Sequence, residues 1–235
     1  MCIRDRDVAG SSFLSVWYYD QSKFPDLYGY LPQFRRVRQF PTNQRFEPLI
    51  PGVTWFLSDP WGAGDPMRTW SEYKIVERKP MLGPFNTNFT GTDNWTTTSH
   101  GGESGGLFFD TEYELAPEVV TLESKPTGYP RAPVGHRHCY VDTRMCLAGS
   151  SIRYDRQGKL WVNFEAGYGQ QLDTVNNIEI KGPDGKSTAW SWVYVLSYDH
   201  QNQRMSRIRH LADCTGGYQS QLGGDDEEAY DTFFT

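Results

Sequence analysis

The sequence predicts a mainly β protein built on an antiparallel sheet. Three features carry this prediction. Aromatic and β-branched residues, which suit a half-buried pleated surface, recur in short runs along the chain. Glycine-bearing tight turns such as Asp155-Arg156-Gln157-Gly158 and Lys181-Gly182-Pro183-Asp184-Gly185 separate these runs. The tight turns that join the strands of the second half are too short for parallel crossovers, which need a dozen or more residues.

Taken in order, Phe13 to Tyr19 reads as the first strand, and 20–26 as a turn. Leu27 to Leu31 and Phe34 to Phe40 follow, separated by Pro32. In the second of these, Phe34, Arg36, Arg38 and Phe40 share a face at period 2. Prolines and glycines break up 41–68. Asp65 and Pro66 suit the cap and first position of a short helix over 65–72. Ser71 to Arg78 reads as a strand, and 86–106 as a long polar surface loop. Glu118 to Ser124 is a further strand. Gly135 to Val141, Met145 to Tyr154 and Lys159 to Tyr168 then form a meander. Asn177 to Ile180, Trp190 to Leu196 and Arg204 to Leu211 complete the series, the last pair turning at 200–203. No composition shift or repeat divides the chain.

Composition narrows the function classes. The 235 residues carry a net charge of -6, so the phosphate-neutralising surplus of a general nucleic-acid binder is missing. No run of about 18 apolar residues offers a membrane-spanning helix. An aromatic content of 15% is too high for a disordered chain and supplies ample buriable area.

Met1 to Arg6 reads as the translation of a sequencing-library adapter, and the chain after it as a single partial domain over 7–235, cut at both ends. Cys139 and Cys146 flank a short turn. With a two-residue loop they would face each other and could close a disulfide; a four-residue loop would slip them out of register.

The order of the segments is similar to a known family. Trp17-Tyr18-Tyr19 through Leu31-Pro32-Gln33-Phe34-Arg35-Arg36-Val37-Arg38, then Lys79-Pro80-Met81-Leu82-Gly83-Pro84-Phe85-Asn86, Tyr113-Glu114-Leu115, His136-Arg137-His138-Cys139-Tyr140, Tyr154 to Trp161 and the ending Tyr230 to Thr235 resemble the C-terminal part of domain of unknown function family 1329. That family is related to the LolA- and LppX-like outer-membrane lipoprotein-sorting proteins. The resemblance implies a curved antiparallel sheet or half-barrel over a few short helices, a periplasmic location after signal-peptide removal, and a Gram-negative source. It implies lipid held on the concave face and a link to RND-type exporters or an outer-membrane partner. It brings no catalytic residues and no cofactor.

The chemistry-bearing residues are sparse. His136 and His138 alternate, so both side chains leave the same face of a strand. They would hold a metal only if a third ligand converged, and no H-E-x-x-H or carboxylate cluster accompanies them, so the reading is two strand histidines without metal. Gly102-Glu103-Ser104-Gly105-Gly106 meets the letter of a nucleophile elbow but lacks the strand before and the helix after. Arg35, Arg36 and Arg38 suit an anionic head group, although a solvated edge, where cations block edge pairing, is the preferred reading; Arg36 and Arg38 are the head-group candidates. Trp161 and Asn163 are expected on one face, with Leu160, Val162 and Phe164 on the other. Trp190, Trp192 and Tyr194 are expected to line one face, with Val193 and Val195 opposite. A sheet apolar on both faces needs cover or a ligand. The reading is therefore a non-catalytic carrier of a hydrophobic ligand on Trp161, Trp190, Trp192 and Tyr194. The alternatives are a hydrolase or metal enzyme, and a docking module of an envelope transport complex.

Overall fold

The computed structural model describes residues 12–31, 35–48, 53–59, 68–89, 113–170, 172–173, 178–179, 181–182 and 184–209. Three strands, β1 (Ser12–Val16), β2 (Asp26–Leu31) and β3 (Arg36–Phe40), form a small antiparallel sheet in the order β1-β2-β3. The main sheet contains β4 (Trp70–Gly83), β5 (Phe85–Phe89), β6 (Glu114–Pro126), β7 (Val134–Asp142), β8 (Leu147–Asp155), β9 (Leu160–Gln170), β12 (Trp190–Asp199) and β13 (Arg204–Arg209). Between them β10 (Leu172–Asp173) and β11 (Ile178–Glu179) make a two-stranded ribbon.

The main sheet runs β13-β12-β9-β8-β7-β6-β4, every neighbour antiparallel, and it is curved and unclosed. Its curvature fits the many bulges in its ladders, which add an unpaired residue to one strand and bend it. No helix occurs among the described residues. The expected helix over 65–72 is overturned at its C-terminal end, where Trp70 to Glu72 already belong to β4. The surface loop expected over 86–106 is overturned at its start, where 85–89 is β5, which pairs with β9 in parallel, an exception to the antiparallel rule; 90–106 lies outside the described residues. The stretch around Ser104 lies outside the described residues.

Both turns foreseen at glycines use them as required. Gly158 (φ 77°) and Gly185 (φ 66°) are left-handed, a conformation that costs any residue with a Cβ. The β7–β8 turn differs from the tightest option. Thr143 to Cys146 make a four-residue loop closed by the Cys146 N–H donating to the Asp142 carbonyl at 2.9 Å. With the further register shift between Tyr140 and Val141, Cys139 pairs across with Ser151, Cys146 sits exposed in the turn, and both remain thiols rather than joining in a disulfide.

Two bulges overturn the expected face assignments. Arg153 pairs with Val162 and Tyr154 with Leu160, so Trp161 is an extra residue in β9. It turns toward the partners of Val162: its Nε1 donates to Asp199 at 3.3 Å and its ring lies 5.7 Å from that of Phe56, while Leu160 is exposed. In β12, Trp192 pairs with Tyr168 but Tyr194 with Gly167, so Val193 is the extra residue. Trp190 consequently packs on the cluster of Phe85, Phe164, Ala166, Tyr168 and Val195, and Tyr194 on the opposite side with Leu196, Tyr198 and Met205.

Candidate functional site

One face of the main sheet carries the largest apolar cluster and, among it, an unusual number of buried polar groups. The residues 53–59, Val-Thr-Trp-Phe-Leu-Ser-Asp, lie across this face as an irregular strap. Its backbone makes an isolated bridge between Phe56 and Pro48, and the Ser58 N–H donates to the Arg45 carbonyl at 3.2 Å; side chains of the sheet satisfy further backbone groups. Arg153 donates to the Thr54 carbonyl at 3.1 Å and Arg137 to the Ser58 carbonyl at 2.7 Å. The Thr54 N–H donates to the Ser206 hydroxyl at 2.9 Å, and the Thr54 hydroxyl to the Ser197 carbonyl at 3.2 Å. Arg153 also pairs with Asp59 at 3.3 Å, with both side chains only 1% exposed. Burial pulls the Arg153 guanidinium below its ordinary range, against the opposing attraction of Asp59. The two guanidiniums lie over aromatic rings, Arg137 at 3.7 Å from Trp70 and Arg153 at 4.1 Å from Phe56, where the ring quadrupole favours a cation. With the strap in place, Trp55 joins the large cluster and Phe56 the smaller one beside Trp70.

The aromatic residues expected to form a ligand wall are distributed by this arrangement. Trp161 and Trp190 are half-buried against the chain's own core. Tyr194 is buried on the opposite side, where its hydroxyl donates to Glu165 at 2.6 Å; burial, then the Glu165 charge, push the phenol well up. Trp192 is fixed by its backbone pairing, and its side chain lies outside the described set.

A different concavity lies where the strap meets the small sheet. Leu27, Phe40, Pro41, Gln44, Glu47, Pro48 and Leu57 line a cleft of about 90 Å³. Beside it an open groove of about 420 Å³ runs along Gln39 to Asn43, sharing Phe40 and Pro41. Arg36 and Arg38 are exposed on β3, an edge strand, and alternate onto the face that bears Phe40. They stand roughly 13 Å and 7 Å along the strand from it. Sequence reading missed Leu27 and Leu57 as lining residues because they are far apart in the chain; only the docking of the strap unites them.

The face opposite the strap carries the two strand histidines. The register sets Glu123 of β6 directly across from His138 of β7, and His136 across from Tyr154 of β8. Glu123 Oε2 and His138 Nε2 are 3.0 Å apart, and the His136 ring stacks on Tyr154 at 4.4 Å with an 11° interplanar angle. The hydrogen bond to His138 holds the Glu123 carboxyl below its usual range, while burial, then repulsion from His138, lowers His136. Glu123 was not singled out from sequence, although the register of two foreseen strands determines the pairing.

The chain has no significant match among curated proteins. Its fold is similar to that of a domain from Vibrio parahaemolyticus described as belonging to an outer membrane lipoprotein-sorting protein, with a TM-score of 0.50, 14% identity, and coverage of 97% of this chain and 72% of that one. A DUF1329 family protein from Desulfovibrio piger gives a TM-score of 0.48 at 13% identity, over 94% of this chain and 73% of that one. The family described as "Protein of unknown function (DUF1329)" matches residues 6–233. The match extends over the small sheet, the strap and all strands of the main sheet, and the chain therefore belongs to the DUF1329 family.

Proposed function

We propose that the protein is a non-catalytic carrier of a lipid-like molecule in the periplasm. The observation that carries this reading is the small cleft of Leu27, Phe40 and Leu57, rimmed by Gln44 and Glu47, continued by an open shallow groove and by two exposed arginines on the same strand face. An amphiphile would set its hydrocarbon in the cleft, driven by removal of apolar surface from water, and its anionic head on Arg36 and Arg38. The architecture shared with a lipoprotein-sorting domain supports the same class of cargo. Delivery to or from an RND-type exporter, or to an outer-membrane partner, would give such a carrier its direction. The site differs from the wall of Trp161, Trp190, Trp192 and Tyr194 expected from sequence, because the strap and core packing already engage Trp161 and Trp190.

The test is titration of the purified, delipidated chain with a dansyl-labelled fatty acid. Saturable binding with a blue-shifted emission is expected, and an added unlabelled fatty acid should displace the probe. Leu57→Asp should abolish binding, and Arg36→Glu with Arg38→Glu should weaken it at least tenfold, most strongly at low salt. Absence of saturable binding, or binding indifferent to all three substitutions, would overturn the reading.

A further inference from the structure

We propose that Glu123, His136 and His138 form a binding site for one borderline divalent transition-metal ion, Zn²⁺ foremost, on the face of the sheet opposite the strap. Each side chain offers one ligand atom, and these atoms lie within 4.8 Å of one another. All three are half-buried, so the site is partly shielded from water yet reachable.

The backbone builds this arrangement. His136 and His138 are two residues apart on β7, so they leave the same face at successive positions. Glu123 is the register partner of His138 on β6 and therefore projects beside it. Two imidazoles and one carboxylate match the donor set of open tetrahedral zinc sites, which keep a fourth position for water or another ligand. Bonds of about 2.0–2.1 Å in a tetrahedron need donor atoms about 3.3 Å apart. The Glu123–His138 separation of 3.0 Å lies within a few tenths of an ångström of that spacing. His136 closes the remaining distance by a ring movement over Tyr154, whose parallel stacking at 4.4 Å flanks it. The two imidazole centroids are 5.5 Å apart with an interplanar angle of 56°, an orientation from which both rings can converge.

Surrounding charge is mixed. Glu77 accepts a hydrogen bond from Thr121 at 3.3 Å and pairs with Lys79. Lys125 is paired with Glu72 at 2.6 Å, which removes much of its repulsion of a cation. The neutral-ligand count also favours a borderline ion over Ca²⁺ or Mg²⁺, which prefer all-oxygen shells.

The full chain, stripped with chelator and free of any affinity tag, is titrated with Zn²⁺ by calorimetry and with Co²⁺ by visible absorption. One ion per chain and the intense d–d band of tetrahedral Co²⁺ are expected. His136→Ala, His138→Ala and Glu123→Gln should each remove the band, whereas His200→Ala, a control residue bonded to Asn163, should leave it intact. Should a variant fail to fold, the wild-type chain still decides: Zn²⁺ must protect His136 and His138, and not His200, from diethylpyrocarbonate as read by peptide mass. No stoichiometric binding, a Co²⁺ band that survives all three substitutions, or equal protection of His200 would leave an ordinary cross-strand ion pair and overturn the proposal.

Discussion

Replacing Arg153 by Met tests how the strap is held. The side chain is 1% exposed, pairs with Asp59 at 3.3 Å, donates to the Thr54 carbonyl at 3.1 Å and covers Phe56 at 4.1 Å. The bare attraction at that distance is about 5 kcal/mol for an effective dielectric of about 20, and desolvation of both ions offsets much of it. Removing one partner is different, because the Asp59 carboxylate then stays buried against a methionine. Such losses run at about 3–5 kcal/mol. Met keeps most of the volume, so a cavity contributes little. With a urea slope of about 2.5 kcal/mol/M, the midpoint should fall by about 1.5 M at pH 7. Asp59→Asn should cost a comparable amount, while still accepting the Phe56 N–H now bound at 2.7 Å. The double variant should cost at least 2 kcal/mol less than the two single losses added together. Additivity within about 0.5 kcal/mol, or an Arg153→Met loss below about 1 kcal/mol, would refute the clamp. The same series speaks to function: a loosened strap should uncover Trp55 and Phe56 and raise binding of an apolar fluorescent dye.

Three further outcomes follow from local geometry. Cys146 holds φ at 55° in the β7–β8 turn, so Cys146→Gly should gain roughly 0.5 kcal/mol and raise Tm by about 1–2 °C in a thermal melt. A Cβ at Gly167 would overlap the buried Tyr194 ring, so Gly167→Ala should cost about 1–3 kcal/mol by urea titration, and Tyr194→Leu in the same chain should recover part of it. Asp199 is held below its usual range: burial opposes ionisation, but donors from the Asn202 side chain, the Asn202 and Gln201 N–H groups and Trp161 outweigh it. Its contribution should be complete above the unfolded value of about 3.9 and vanish as pH drops through the lower folded value. The stability gap between wild type and Asp199→Asn, measured by denaturation from pH 7 to pH 2, should therefore close on the acid side only.

Much of the sheet was legible because its signal is local. Residues 135–141, 159–168 and 204–211 are bounded by turn signals, and β7, β9 and β13 stand within a few residues of those bounds. Gly158 and Gly185 marked their turns through the left-handed backbone each must adopt. The strand at 85–89 was illegible because its parallel pairing with β9 depends on a partner some eighty residues away, not on its own polar sequence. The helix at 65–72 was predicted from a cap and a proline, but the ladder with β6 claims Trp70 onward, an instance of tertiary pairing overriding local preference.

The site was less legible than the fold, and for one physical reason. Period-2 reasoning transmits a face assignment only as far as the next bulge, and a single extra residue inverts every assignment beyond it. Trp161 and Val193 are such residues, so the Trp161/Asn163 and Trp190/Tyr194 groupings failed while the shorter His136/His138 grouping, with no bulge between its members, held. The same rule explains why Glu123 is paired securely: β6 and β7 run in unbroken register from Val119 to Ser124. Bulges thus divide this sheet into patches that each keep their own parity. A site contained within one patch, such as the two histidines and their glutamate, can be derived from strand pairing alone. A site formed between the small sheet and the strap, such as the cleft where the paired Leu27 and Phe40 meet Leu57, emerges only when the long-range docking is known.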